Sequence, residues 1–354
     1  MKVALLGAGQ RPIPPPGYGG VERFVDEYAR ALARAGVSVR VINAGAEGLF
    51  PTGWAFARAV PGLLGSDPEE IVHANTSEPA ITLGLLGRPY VYTTHFPDWL
   101  RPPRSGARSG RTKEAMAVRR ARGSTTFSDA LRGALERVPR RRGPVVTIPL
   151  GVDVERFRPD GLGDGGLALG VGEIVARKRW TIAARAVRGT GVRLRLVGPI
   201  REPALANELR SLGAEVVGEV DGPGLLRELS AAGVLLHPGD REAWPGVVLQ
   251  ALAAGRPVLA SGSLASLVGA TAADSDAPDR VERFFRTTLE QWHRDPGERG
   301  RRSQAARECA ESLYAWDRLV PRYLAFYREV GRDDPGRTRW LRPASARVAR
   351  SART

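Results

Sequence analysis

At 354 residues, 42% hydrophobic and 26% charged, the chain can bury one large core or two ordinary ones. No apolar run approaches the ~18 residues of a membrane span. The single cysteine, Cys309, excludes an internal disulfide framework and a cysteine-built zinc site. The net charge of +15 is unevenly placed. Residues 99–143 hold thirteen Lys/Arg against three acids, residues 331–354 hold seven Arg against two, and the remainder is neutral.

In chain order, short aliphatic runs alternate with helical patterns. "KVALL" reads as a first strand rather than a signal peptide, since no long apolar stretch or cleavage site follows, and a cytoplasmic location is the simplest reading. "VERFVDEYARALARAG" has apolar positions at helical spacing, and "VSVRVI", "IVHA", "YVYTT", "STTF" and "PVVTIP" continue as strands. The stretch "GVDVERFRPDGLGDGG" at 151–166 is rich in Gly and Asp and reads as a linker. The alternation then restarts at "LALGVG" and runs through "VRLRLVG", "AEVVG", "VLLHP" and "PVLAS". Strands alternating with helices imply parallel sheets with right-handed crossovers. The expectation is α/β: two Rossmann-like doubly wound domains, 1–152 and 153–311, with ligand at the strand carboxyl ends in the cleft between them. After residue 278 the pattern is helical. "SLYAWDRLVPRYLAFYREV" at 312–330 predicts an amphipathic helix, kinked at Pro321, that packs back on the first domain. The basic tail 331–354 lacks core-forming residues and predicts disorder.

Several loops carry candidate chemistry. Gly7 and Gly9 suggest a dinucleotide fingerprint, but the prolines that follow separate them from the helix, so that reading fails. Gly19 and Gly20 stand directly before a helix, where bare backbone can approach a phosphate. His73 and His95 lie near strand ends, where a structural and a catalytic role are equally open. Lys178, in "GVGEIVARKRW", can neutralise a phosphate or be a solvated charge. In "DREAWPGVVLQALAAG", Pro245 suits a helix start, and Gly246, Val247 and Val248 would offer free amides to an anion. Glu242 could accept hydrogen bonds from a sugar beside that anion, and Gln250 lies one turn on. The D-x-D at 274–276 reads as structural rather than as a metal ligand, with Asp279 as a cap for the next helix.

Taken together, "YGGVERFVDEYARALARAG", "VVTIPLGVDVERFRP", "GVGEIVARK", "LRLVG", "AEVVGEV" and "VLLHPGDREAWPGVVLQALAAGRPV", closed by the terminal helix, resemble the glycosyltransferases of family 4 with GT-B architecture. The resemblance spans residues 18 to about 330 and implies a nucleotide diphosphate sugar donor, held mainly by the second domain. It also implies a hydroxyl acceptor, transfer with retention at the anomeric carbon, and no cofactor or required metal. By position, Gly19 and Gly20 would lie near the diphosphate, His95 near the sugar, Lys178 on a phosphate, and Glu242 on the donor sugar. The Gly246–Val248 amides would hold the distal phosphate. Three departures stand out: Gln250 where the family commonly has a ribose-binding glutamate, Glu173 where it has an arginine, and a short loop at 260–274. They leave a catalytically degenerate scaffold, or a GT-B epimerase, as the alternatives. A nucleic-acid binder would explain the charge, but no module or aromatic-interleaved basic stripe supports it. The basic segment 99–143 is expected to face an anionic membrane surface or an anionic, lipid-linked acceptor.

Overall fold

The computed structural model describes residues 1–17, 19–65, 67, 70–95, 108–240, 242 and 244–332. It divides into two units: residues 1–15, 21–149 and 319 onward, and residues 16–20 with 150–318.

The first unit is built on a six-stranded sheet of β1 (Lys2–Leu6), β2 (Ser38–Ile42), β3 (Glu70–Ala74), β4 (Val91–Thr93), β5 (Gly123–Thr126) and β6 (Val145–Thr147). Their order is β2-β1-β3-β4-β5-β6, every pairing parallel. Helices α1 (Gly20–Arg34), α2 (Gly53–Leu64), α3 (Ser77–Leu85), α4 (Arg108–Arg120) and α5 (Asp129–Glu136) make the crossovers. Central strands covered on both faces need no polar alternation, and β4 and β5 are buried throughout. Thr52 caps α2 and Ser128 caps α5, each accepting a backbone N–H three residues on. One core joins Leu6, Val72, Tyr90 and Tyr92 of the sheet to Phe56, Val60, Ile81 and Leu131 of the helices.

The second unit holds β7 (Asp164–Val171), β8 (Arg193–Val197), β9 (Glu215–Gly218), β10 (Ala232–His237), β11 (Val258–Ala260) and β12 (Ala270–Ala272). Their order, β12-β11-β10-β7-β8-β9, is again all parallel and is the doubly wound dinucleotide order. Between the strands run α6 (Trp180–Ala186), α7 (Pro203–Ser211), α8 (Gly222–Ala231) and α9 (Gly246–Ala253), followed by α10 (Pro278–Arg294) and α11 (Pro296–Cys309). Trp180, Leu194, Leu236 and Phe285 form the core on one face, and Leu169, Leu235, Leu249, Leu252 and Tyr314 form that on the other. The order reverses between β7 and β10, which makes the loops after those two strands the switch-point loops.

The structure departs from the sequence reading in four places. The stretch 151–166 is not a loose linker. Val152 and Phe157 are buried, Val152 bridges Ala315, and Arg307 Nη1 donates to the carbonyls of Val154, Phe157 and Ala253. Its last residues already belong to β7, because strand pairing with β10 and β8 overrides the glycines' weak strand preference. The terminal helix α12 (Trp316–Arg332) starts at Trp316 rather than at 312. A π-helical turn at Ala310–Tyr314 ends at Ala315 in an extended conformation, and α12 then runs through Pro321. The region 260–274 contains β12 and a short 3-10 turn rather than loop alone. Asp279 lies in the first turn of α10, and the cap position is Ala277, which makes no side-chain cap. The basic tail from 333 onward lies outside the described residues, as do residues 99–107 of the basic segment. The rest of that segment is α4, the buried strand β5, α5 and the turn that follows it, so its charge rides on helices and turns. Among the described residues no helix is long and apolar enough to cross a membrane.

Candidate functional site

The loop after β7 carries Lys178, and the loop after β10 carries Glu242. Both loops stand at the switch point, and the two side chains meet: Lys178 Nζ donates to Glu242 Oε1 at 2.6 Å. Lys178 ends a 3-10 turn at Ala176–Lys178 and is nearly enclosed, so its charge requires this partner. Gly172 makes the route possible. Its φ of +151° suits glycine, and a Cβ there would stand 3.4 Å from Lys178 Cε and from the Trp180 ring. Arg177 Nη1 lies 3.7 Å from the same Glu242 oxygen, and His237 Nε2 lies 4.0 Å from it. Burial alone would raise the Glu242 carboxyl. Lys178, His237 and Arg177 together outweigh that effect, and the net shift is downward. The site therefore presents an ionised carboxylate tied to cations through one oxygen.

Glu173, the anion standing where the resemblance expects an arginine, does not face the site uncompensated. Its Oε2 accepts from Arg177 Nη2 at 2.5 Å and its Oε1 from Arg201 Nε at 3.4 Å. Arg177 thus sits between Glu173 and Glu242.

Pro245 takes the cap position of α9. Its carbonyl accepts the Val248 amide at 3.0 Å, so Val248 is not among the free donors and that expectation is corrected. A 3-10 bond tightens the first turn, as is common at helix ends. The Gly246 and Val247 amides keep their orientation toward the helix N-terminus. Gln250 is buried on the same helix. Gly20 opens α1 with nothing within 4 Å of the position of a Cβ, while Gly19 is buried. Gly7 and Gly9 serve packing. A Cβ at Gly7 would strike the Asn43 amide, and one at Gly9 (φ +78°) would strike the Phe56 ring.

In the first unit His95 lies edge-on to Phe24 and Phe127, with centroids 4.8 and 5.1 Å away. Its Nε2 stands 3.2 Å from Asn75 Oδ1, and Asn75 is oriented by donating its own amide to the Leu6 carbonyl. Nε2 therefore carries the proton, and Nδ1 offers a lone pair. Burial pushes the imidazole down to about 3, which keeps it neutral. His73 is resolved as structural. Its Nδ1 is 2.6 Å from Tyr327 Oη on α12 and its Nε2 is 2.6 Å from Thr93 Oγ1.

His237 is the residue that sequence reasoning missed. It ends β10, is 1% exposed, and neither ring nitrogen has a hydrogen-bond partner among the described residues. Burial and then Lys178 push it down to about 4, against the pull of Glu242. In "VLLHP" it looks like one more core position, and only its distance to Glu242 marks it. The acids at 274–276 are engaged elsewhere: Asp274 pairs with Arg280 at 2.8 Å and Asp276 caps the Ser263 amide at 2.9 Å. Among the described residues no cluster of three or more His, Cys, Asp or Glu forms a metal-binding group.

Comparisons with known proteins fit this arrangement. The Glycosyltransferase Family 4 description matches residues 18–156, and Glycosyl transferases group 1 matches residues 171–288. A D-inositol 3-phosphate glycosyltransferase of Nocardiopsis dassonvillei is 31% identical over 235 residues, covering 56% of this chain and 54% of that protein. The match thus spans about half the length of that relative. Among solved structures, a sucrose-phosphate synthase of Thermosynechococcus elongatus superposes with a TM-score of 0.77 at 20% identity, over 93% of this chain and 98% of its own. Anabaena HepE in complex with UDP-glucose gives 0.71 at 18% identity, over 92% and 100%. With two six-stranded parallel sheets and both family descriptions in order along its length, the chain has the GT-B fold and is a glycosyltransferase of family 4 type.

Proposed function

We propose that the protein transfers a glycosyl group from a nucleotide diphosphate sugar to a hydroxyl acceptor, with retention and without a required metal. The observation that carries the reading is the Lys178–Glu242 pair at the switch point of the second sheet, beside the N-terminus of α9. The names of the relatives, an inositol-phosphate glycosyltransferase and a protein bound to UDP-glucose, point the same way. In this reading Glu242 uses the oxygen not held by Lys178 to accept hydrogen bonds from sugar hydroxyls. Lys178 and Arg177 supply the positive charge that the departing diphosphate needs, which a metal would otherwise provide. The Gly246 and Val247 amides, opened by Pro245, hold the distal phosphate, with Gly19 and Gly20 near the diphosphate and Gln250 on the ribose. His95, neutral with Nδ1 unprotonated, accepts a hydrogen bond from a hydroxyl near the sugar. The anomeric carbon–phosphate oxygen bond breaks as the acceptor oxygen bonds to the same face, and the acceptor proton goes to the leaving phosphate. No enzyme nucleophile is needed.

The acceptor in this reading is a lipid-linked or cell-envelope glycan, and the protein works in the cytoplasm at the inner membrane face. The +10 segment at 99–143 supports this by its attraction to anionic lipid. The reading is tested by incubating the protein with nucleotide sugars and glycan acceptors in EDTA and following the product anomer by NMR. Retained configuration, abolished by Glu242→Ala, is the expected result. Inversion, or a dependence on metal, would contradict it. Glu173 and Gln250 favour a second reading, a scaffold that binds donor without transferring it. Donor binding with no turnover on any acceptor, restored by Gln250→Glu, would select that reading.

A further inference from the structure

Three groups converge on one oxygen of Glu242, and one of them is bonded to it. Lys178 Nζ donates to Oε1 at 2.6 Å, while Arg177 Nη1 stands at 3.7 Å and His237 Nε2 at 4.0 Å. Arg177 is already engaged by Glu173. His237 differs, being enclosed in the fold with both ring nitrogens lacking a hydrogen-bond partner among the described residues. An unpaired buried imidazole costs free energy, and its presence calls for an arrangement that supplies the missing partner.

The surroundings identify that partner. Ser261, just after β11, holds the backbone on both sides of Pro238: its amide donates to the His237 carbonyl at 3.1 Å and its hydroxyl to the Gly239 carbonyl at 2.6 Å. The backbone that carries the ring is thus fixed, whereas Glu242 stands in the loop between β10 and α9. A Cβ at Gly239 would lie 3.2 Å from Glu242 Oε1 and 3.6 Å from His237 Nε2, so the bare glycine keeps the space beside both atoms open. A shift of Oε1 by about 1 Å closes the gap to hydrogen-bond length. Burial, and then Lys178, push the imidazole down to about 4, so the ring is neutral. A lone pair aimed at a carboxylate is repelled, so the ring carries its one proton on Nε2.

A bound donor makes a second claim on Lys178. Its diphosphate draws the ammonium, and movement toward phosphate leaves Oε1 of the largely buried carboxylate with less positive charge to face. We propose that His237 is a positioning residue that takes over Glu242 when donor binds: as the diphosphate draws Lys178 off Oε1, the carboxylate closes on the imidazole Nε2–H and stays aimed at the sugar. The inference rests on the reading of the Lys178–Glu242 pair as the donor site, and deepens it by naming what holds Glu242 once Lys178 is engaged.

The test is imidazole nitrogen NMR of the full chain, whose four histidines leave few signals to assign by single substitution. UDP, GDP and ADP are the probes, and Lys178→Met, His237→Phe and His237→Gln are the variants. Saturating the wild type with the nucleotide that binds should move the His237 Nε2 signal and shift its proton downfield, as a charge-assisted hydrogen bond does. Lys178→Met should show that shift without nucleotide, because its Glu242 has already lost the lysine. His237→Phe should bind the nucleotide roughly tenfold more weakly. His237→Gln, whose amide can donate in place of Nε2–H, should recover most of that loss. Nucleotide binding that leaves the His237 signals unmoved would overturn the takeover and leave the donor site standing, as would an unshifted signal in folded Lys178→Met. Equal affinity in wild type and His237→Phe, or a loss that His237→Gln does not recover, would assign His237 to packing alone. Failure of every nucleotide to bind the wild type would overturn the donor site and the takeover together.

Discussion

His73 and His237 are both buried histidines on central strands of parallel six-stranded sheets, and they are treated in opposite ways. In the first sheet both nitrogens of His73 are bonded, to Tyr327 and Thr93, and the chain continues from Tyr327 to Tyr28 at 2.8 Å and from Thr93 to Thr125 at 2.5 Å. In the second sheet neither nitrogen of His237 has a hydrogen-bond partner among the described residues, and its Nε2 lies 4.0 Å from Glu242 Oε1. A buried polar group without a partner costs free energy, so a fold normally closes such networks. The first sheet closes its network and so fastens α12. The second leaves Lys178, Glu242 and His237 grouped around one carboxylate oxygen, which is where a ligand would be met. One architecture thus spends its central polar residues on structure in one copy and on a site in the other.

The largest effect that would sharpen this contrast is on activity. Glu242→Ala should lower kcat/KM by about two to three orders of magnitude, the scale of losing an electrostatic group aimed at the reacting centre, measured with whichever nucleotide sugar binds. Lys178→Met should be comparable and should also destabilise by about 1–3 kcal/mol, because it leaves the largely buried Glu242 carboxylate with only the more distant Arg177 as a cation. Chemical denaturation measures the second part. An unchanged unfolding midpoint would contradict the pairing.

His73→Phe should cost about 1–3 kcal/mol, since it removes one hydrogen bond each from the buried Tyr327 and Thr93, which keep only Tyr28 and Thr125. Acid follows. The folded-state values are about 3 for His73 and His95 and about 4 for His237, against about 6.5 in the unfolded chain. Below pH 6.5 the unfolded chain therefore binds more protons. Stability is complete above that pH and is lost as pH falls toward 4 and then 3. At pH 5 each histidine costs about 2 kcal/mol. Denaturation midpoints between pH 7 and 5 test this, and a flat profile would contradict the buried neutral state. The smallest effect is expected at His237→Phe, within about 1 kcal/mol, because His237 has no hydrogen bond to any of the described residues. If His73→Phe and His237→Phe cost the same, the contrast between the sheets fails.

Much of this was legible in the sequence because parallel strands buried on both faces read as plain aliphatic runs. "VLLHP" and "YVYTT" mark β10 and β4 by composition alone. The second sheet's switch-point loops were legible too, since Lys178 and the Glu242–Pro245 stretch stand out by residue type. What escaped was settled by contacts distant in sequence. Arg307 reaches back to carbonyls about 150 positions earlier and turns an apparent linker into packed chain. Ala315 breaks the terminal helix through backbone conformation rather than through a proline. Val248 loses its free amide to a local 3-10 bond that no residue type announces. His237 is silent in sequence because an apolar strand containing one histidine looks the same whether or not that histidine is bonded.

The most direct test is a thermal-shift titration of wild type and Glu242→Ala against UDP-, GDP- and ADP-linked sugars in EDTA. Donor at 100 times its dissociation constant adds about 2.7 kcal/mol, a rise of roughly 5–10 °C for domains of this size. A selective rise with one nucleotide class in the wild type, sharply reduced in Glu242→Ala, is the predicted outcome. No rise with any donor, or an equal rise in both proteins, would contradict the assignment of the Lys178–Glu242 pair as the donor-sugar site.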